Sequence, residues 1–252
     1  MLVAHDVFLA REDDGSGLEQ VCEFRANGEL VRFNDGKVSP SGSFIAGTMH
    51  WGESEPVGSL YMLKADWSVV TLLDGVVVSN GLAWSQDGAT LYYIDTPRQT
   101  VDAFDVDLAT GQLSRRRVVA EVRDGSPDGM AIDDEGMLWV AVWGGWRVER
   151  IDPVSSRRLA VVRVPTQQVS SVAFGGSSLG DLYITTARTG LGTATLATEP
   201  HAGDLFVAHP GVTGAAPHRF RGKSLTPSPT GPRRSRRSCG SKRSDAAHGS
   251  SR

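Results

Sequence analysis

The chain has 252 residues and a mass of 26.9 kDa, is 40% hydrophobic and 22% charged, and contains two cysteines. That balance suits a folded domain with a sizeable core, and it excludes both a disulfide scaffold and a cysteine-rich zinc module. The net charge of -3 hides an asymmetry. Residues 222–252 hold eight Lys and Arg against one acid, Asp245, which leaves 18 basic and 28 acidic side chains, a charge of -10, in the rest. An acidic body argues against nucleic acid as a partner and is compatible with binding cations.

The N-terminus, Met1-Leu2-Val3-Ala4-His5-Asp6, has no basic region before an apolar one, so no signal peptide is expected. No stretch approaches the ~18 apolar residues of a membrane span. A cytoplasmic setting without membrane contact is the expectation. Residues 18–24 read as a strand, with Cys22 a buried inert thiol.

A turn with Ser or Asp near Gly, followed by an apolar strand, then recurs along the chain. It appears at Ser39-Pro40-Ser41-Gly42 before Phe44, and at Ser85-Gln86-Asp87-Gly88 before Leu91. It returns at Asp133-Asp134-Glu135-Gly136 before Leu138, and more loosely up to Gly180 before Leu182. Those glycines lie 46, 48 and 44 residues apart. Between the copies lie further strands at residues 101–106, 117–122, 147–151 and 159–164, rich in Val and separated by Gly, Pro and Asp. No helical stripe stands out. Repeats of this length with four strands each are the signature of β-propeller blades.

Eight residues before each turn glycine stand Asn34, Asn80, Asp128 and Val172, the last beside Ser170 and Ser171. Equivalent positions of a propeller ring converge on its axis. Asn34, Asn80 and Asp128 would then form one oxygen-rich site suited to a hard divalent cation. An equally good reading is local: Asn34-Asp35-Gly36, Asn80-Gly81 and Asp128-Gly129 are ordinary turn formers.

From residue 222 onward there is no Ile, Val, Met, Phe, Trp or Tyr, but there are eight serines and three prolines. Such a segment cannot bury enough apolar surface to order itself. Two units are therefore expected: a propeller over residues 1–221, and a disordered basic tail over 222–252.

Several motifs, in order, resemble the regucalcin/gluconolactonase/LRE-like family of six-bladed propellers. They are Arg32-Phe33-Asn34-Asp35-Gly36-Lys37-Val38 with Ala46-Gly47-Thr48-Met49; Ser79-Asn80-Gly81-Leu82; Pro127-Asp128-Gly129-Met130 with Leu138-Trp139-Val140-Ala141; and Tyr183-Ile184-Thr185-Thr186-Ala187-Arg188. The resemblance implies an all-β propeller that hydrolyses sugar lactones with a divalent metal (Ca²⁺, Zn²⁺, Mn²⁺ or Mg²⁺). It places Asn80 and Asp128 as metal ligands, with Asn34 close enough to join them. It gives Asp128 the role of general base, and makes Arg32, Asn34 and Glu53 substrate contacts. The partner implied is a small sugar lactone, with the chain a monomer or weak homo-oligomer.

The family's first-blade glutamate ligand has no counterpart here. Six blades at this period need roughly 276 residues. The chain is therefore expected to lack about one N-terminal blade, with impaired activity. The rivals are a non-catalytic calcium-binding propeller and a related propeller esterase or phosphotriesterase.

Overall fold

Runs of four to nine residues rich in Val, Ile, Tyr, Phe and Trp, cut by turn residues, favour short antiparallel strands over helices. In a computed structural model they form almost all of the regular structure. The structure describes residues 2–4, 7–10, 19–23, 30–222 and 241–242.

The elements form five sheets. Strands β1 (Leu2–Ala4), β2 (Val7–Ala10) and β3 (Glu19–Glu23) make a three-stranded sheet. The second sheet holds β4 (Val31–Val38), β5 (Phe44–His50), β6 (Gly58–Leu63) and β7 (Val69–Val76). The third holds β8 (Ser79–Trp84), β9 (Thr90–Asp95), β10 (Thr100–Val106) and β11 (Leu113–Glu121). The fourth holds β12 (Ser126–Ile132), β13 (Leu138–Trp143), β14 (Arg147–Asp152) and β15 (Arg157–Arg163). The fifth holds β16 (Val169–Gly175), β17 (Asp181–Thr186) and β18 (Leu205–Ala208), with a six-residue helix α1 (Thr193–Thr198) before β18. Each is an up-and-down meander in chain order, and the last four stack as successive propeller blades. Apolar clusters fill the space between neighbours: Leu60 and Leu82 lie in one, Ile94 and Met130 in the next, and Trp139 and Ile184 in a third.

The repeat rests on one turn device. The backbone N–H of Gly42, Gly88 and Gly136 donates to the carbonyl of Ser39, Ser85 and Asp133, at 2.9, 2.8 and 3.0 Å, closing the turn into the next strand. All three glycines have positive φ, at 84°, 72° and 81°. The Ser or Asp side chain accepts from the emerging strand: Ser39 from Ser43 N, Ser85 from Thr90 N, Asp133 from Met137 N. Asp133 is fully buried and also receives Trp139 Nε1 at 2.9 Å and Arg150 Nε at 2.8 Å.

The fourth copy corrects the expected register. Its turn runs from Gly176 to Leu179, whose N–H donates to Gly176 O at 3.3 Å and whose φ is 55°. Leu179, not Gly180, is the equivalent of the turn glycines. Eight residues back lies Ser171 rather than Val172, and Val172 is buried in the inter-blade core.

Residues 209–222 cross beneath the innermost strands. Ala215 N donates to Ile132 O, and Arg221 N to Gly42 O; the Phe220 ring packs 5.4 Å from Trp67. Of the expected disordered tail, all but Gly222 and the pair Ser241-Lys242 lies outside the described residues. That pair forms β19 (Ser241–Lys242), a short parallel bridge to Val69 and Val70 of β7. Cys22 is buried as expected, but it is disulfide-bonded rather than a free thiol. No helix among the described residues is long and apolar enough to cross a membrane.

Candidate metal and substrate site

The innermost strand of each blade is β4, β8, β12 or β16, and these four lie side by side around the axis. β4, β8 and β12 break register at the same place, and β16 one residue earlier. The shifts fall between Phe33 and Gly36, Ser79 and Leu82, Pro127 and Met130, and Val169 and Ser171. Asn34, Asn80 and Asp128 sit at those bulges. The Asn-Gly and Asp-Gly pairs are therefore not turns between strands; they lie within strands. A bulge re-aims a side chain while the strand continues, here at the same end of three successive inner strands.

Glycine lets the strands close in. A Cβ on Gly81 would stand 2.7 Å from Asp128 O, and one on Gly129 would stand 2.6 Å from Ser171 Cβ. Each inner strand thus nests against the bulge of the next.

The side chains form a connected polar cluster. Asn34 Nδ2 donates to Asn80 Oδ1 at 2.9 Å and to Ser79 O at 2.8 Å. Asn34 Oδ1 accepts from Arg32 Nη1 at 2.9 Å. Asn80 Nδ2 donates to Thr96 Oγ1 at 2.7 Å, and Thr96 Oγ1 donates to Pro127 O at 2.8 Å. The hydroxyl of Thr96 therefore ties Asn80 to the residue before Asp128.

Electrostatics mark the same place. The Asp128 carboxyl is pushed up to about 7, chiefly by burial and then by repulsion from Asp35, with a smaller push from Glu53. Glu53 lies on the exposed loop after β5 with φ 55°, close enough for Asp128 to feel its charge. Burial also raises Asp35 and depresses Lys37, each partly offset by the other. Lys37 Nζ reaches from β4 to Met130 O on β12, a 2.6 Å hydrogen bond between strands separated by β8. Beyond this pair opens a cavity of about 690 Å³, lined by Val38, Trp84, Met130, Ile132 and Phe174 and bounded by residues 215–218.

Among the described residues no three His, Cys, Asp or Glu side chains lie close enough together to hold a metal ion. The donors present are one carboxylate, Asp128, and the carboxamide oxygens of Asn80 and Asn34. This all-oxygen set fits a hard cation that keeps water in its remaining positions. Crowded carboxylates with a raised pKa are what a bound cation relieves. Both amide oxygens already accept a hydrogen bond, Asn34 Oδ1 from Arg32 and Asn80 Oδ1 from Asn34 Nδ2, so a cation held by either would displace that bond.

Motif reading passed over Asp35, Lys37 and Thr96. Asp35 and Lys37 stand inside the quoted Arg32–Val38 motif, and two charged residues in a strand beside an expected axial site were a usable signal. Nothing in the sequence around Thr96 marks it; only the packing of β8 on β12 brings it in.

Residues 1–188 match the model of the SMP-30/Gluconolactonase/LRE-like region. Zebrafish (Danio rerio) regucalcin is 48% identical over 197 residues, 76% of this chain and 67% of that protein. Human regucalcin is 46% identical over 199 residues, with the same coverage. Among solved structures, a luciferin-regenerating enzyme is similar at 34% identity and TM-score 0.78, covering 86% of this chain and 76% of its own. A calcium-binding regucalcin from Agrobacterium tumefaciens is similar at 28% identity and TM-score 0.80, covering 86% and 74%. A gluconolactonase from Xanthomonas campestris is similar at 28% identity and TM-score 0.60, covering 71% and 62%.

Proposed function

Because the chain belongs to the SMP-30/Gluconolactonase/LRE-like family, we propose that it hydrolyses sugar lactones with the help of a divalent cation held by Asp128 and Asn80, with Asn34 beside them. The observation that carries the reading is the bulge shared by three successive inner strands. It sets Asn34, Asn80 and Asp128 at equivalent positions of neighbouring inner strands, with the Asn34 and Asn80 carboxamides in contact and Thr96 joining Asn80 to Pro127 O, which supports the reading. When bound, the cation polarises the lactone carbonyl and acidifies water.

The protein's own groups have separate tasks. Asp128 takes the proton of the attacking water through the carboxylate oxygen that it does not give to the cation. Water adds to the carbonyl carbon, the ring C–O bond opens, and the proton passes to the released ring oxygen, giving the hydroxy acid. Arg32, its guanidinium oriented by Asn34, donates to substrate hydroxyls or to the developing oxyanion. Asn80 contributes an uncharged oxygen, which limits the negative charge of the site. Thr96 fixes the Asn80 carboxamide through its second bond to Pro127 O.

The test is hydrolysis of D-glucono-1,5-lactone by the folded chain with Ca²⁺, Mn²⁺, Zn²⁺ or Mg²⁺, after subtracting the spontaneous rate, beside Asp128→Ala. Cation-dependent turnover that falls at least about 100-fold in Asp128→Ala supports the reading. Turnover that persists in Asp128→Ala removes Asp128 as the base. A second reading, a calcium-binding protein without catalysis, draws on the similar Agrobacterium protein; cation binding without turnover on lactones, esters or phosphotriesters would favour it.

A further inference from the structure

We propose that the cavity beyond Asp35 and Lys37 is a second binding site, which takes a small zwitterion with an apolar side chain, an aromatic α-amino acid being the simplest of that class. Asp35 receives its ammonium group and Lys37 its carboxylate. The inference stands apart from the lactone reading and does not rest on it.

The cavity, of about 690 Å³, is lined by the parts of β4, β8, β12 and β16 that follow their bulges, and by residues 215–218. Arg32, Asn34, Asn80 and Asp128 are not among its walls. Its size is that of a small-molecule site, roughly 300–1,000 Å³. The segment that bounds it is tied at both ends. Ala215 N donates to Ile132 O at 3.2 Å and Arg221 N to Gly42 O at 2.9 Å, so it reaches from the blade of β12 to the blade of β4.

Much of the wall is apolar, with Trp84, Met130, Ile132 and Phe174 on it. Into this wall β4 sets two opposite charges, Asp35 and Lys37, on either side of Gly36. Each feels the charge of the other, yet they make no direct ion pair. Asp35 Oδ1 accepts from Gly36 N at 2.7 Å, and Lys37 Nζ donates to Met130 O at 2.6 Å. A carboxylate has a second oxygen and an ammonium two further N–H groups, and among the described residues no other group uses them. Two polar neighbours are engaged elsewhere: Ser85 Oγ donates to Asp87 Oδ1 at 2.6 Å, and Gln86 Nε2 donates to Asp134 O.

Opposite charges that border an apolar cavity without touching lose hydration and recover little of it as attraction. A neutral apolar ligand would bury both unpaired. An anion would satisfy Lys37 alone, and a cation Asp35 alone. A zwitterion satisfies both, and the aromatic and aliphatic wall takes its side chain. Asp35 and Lys37 stand two residues apart on one strand, so a single carbon that bears both head groups reaches both. In an α-amino acid the side chain leaves from that same carbon, into the space that Trp84, Met130 and Phe174 enclose.

The test is calorimetric titration of the full chain with L-phenylalanine, 3-phenylpropionate, phenethylamine and glycine. Wild type is compared with Asp35→Asn and Lys37→Met, and melting curves establish that each variant folds. L-Phenylalanine should bind wild type and lose about tenfold in affinity on either substitution, the worth of one hydrogen bond to a charged group. The two half-ligands should respond in opposite ways. 3-Phenylpropionate, with only the carboxylate, should weaken with Lys37→Met and not with Asp35→Asn; phenethylamine, with only the ammonium, should do the reverse. Glycine has no side chain for the apolar wall and should not bind measurably. Asp35→Asn keeps the shape of the native side chain, so it carries the test even if Lys37→Met, which also loses the bond to Met130 O, does not fold.

A folded wild-type chain that does not bind L-phenylalanine overturns the site. Binding that neither substitution weakens overturns it as well. 3-Phenylpropionate or phenethylamine binding as tightly as L-phenylalanine overturns the zwitterion. An equal loss of every ligand on both substitutions means that the cavity has collapsed rather than lost a charge, and overturns the assignment of the head groups. Lactone turnover is read separately through Asp128→Ala, and either result there leaves these outcomes as they stand.

Discussion

At the residue scale, Asp128 carries a measurable signature. An unfolded aspartate ionises near 3.9, and the folded one near about 7. Between those values the native state holds a proton that the unfolded chain has lost. Stability of the cation-free protein therefore falls as pH rises from about 4 to about 7, and levels off above that. Asp128→Asn should flatten this slope and be more stable than wild type at pH 8 by up to about 4 kcal/mol, read as the difference in melting temperature at pH 5 and pH 8 in chelator. A cation answers the same repulsion without protonation. Asn34 shows how two bonds decide a role: with its oxygen on Arg32 and its nitrogen on Asn80, it orients its neighbours more than it offers an oxygen to a metal.

At the scale of the element, the inner strands and the turns that follow them use glycine for two physically distinct purposes, and substitution separates them. Gly136 needs only its left-handed backbone, since nothing lies within 4 Å of a Cβ there. Gly136→Ala should cost about 1 kcal/mol, the strain of a side chain at positive φ, with site chemistry unchanged. Gly129 has no such backbone, but an added Cβ would overlap Ser171. Gly129→Ala must push β16 away from β12 beside Asp128, costing about 1–3 kcal/mol and lowering cation affinity as well. Denaturant melts together with a cation titration distinguish the two. The three bulges have the same logic. A regular strand would send alternate side chains to opposite faces, whereas the bulges leave Asn34, Asn80 and Asp128 out of the regular pairing without ending the strand, and Asn34 meets Asn80 across neighbouring strands.

At the scale of the molecule, the site exists only because neighbouring blades stack. Its ligand candidates are 46 and 48 residues apart in sequence, on β4, β8 and β12, and no blade holds more than one of them. Binding a cation there should stabilise the fold as a unit. At 100 times its dissociation constant the gain is about 2.7 kcal/mol, a rise of several degrees in melting temperature for a domain of this size. Differential scanning calorimetry with Ca²⁺ or Mn²⁺ should show it, and Asp128→Ala should abolish it. A rise that survives in Asp128→Ala would place the cation elsewhere. Lys37 works at the same scale, since its reach to Met130 O couples β4 to β12 across the axis rather than through the intervening β8.

Local patterning was enough to read the all-β class, the blade period and the ordered motifs of the family, because each depends on turns and strands that residues close in sequence decide. The Ser39–Gly42, Ser85–Gly88 and Asp133–Gly136 turns are of this kind: every group in them lies within about one turn of its partner. Whether Asn34-Asp35-Gly36, Asn80-Gly81 and Asp128-Gly129 were turns or bulges could not be read this way. The same residues suit both, and the choice falls to the pairing partner on β5, β9 or β13. The fourth register slipped for a related reason: Leu179 takes the left-handed position that glycine fills in the other copies, and no side-chain preference announces it. Thr96 and the Lys37 strut belong to the tertiary structure alone. Each joins groups whose approach is set by how sheets stack and loops close, a distance that no local sequence pattern encodes.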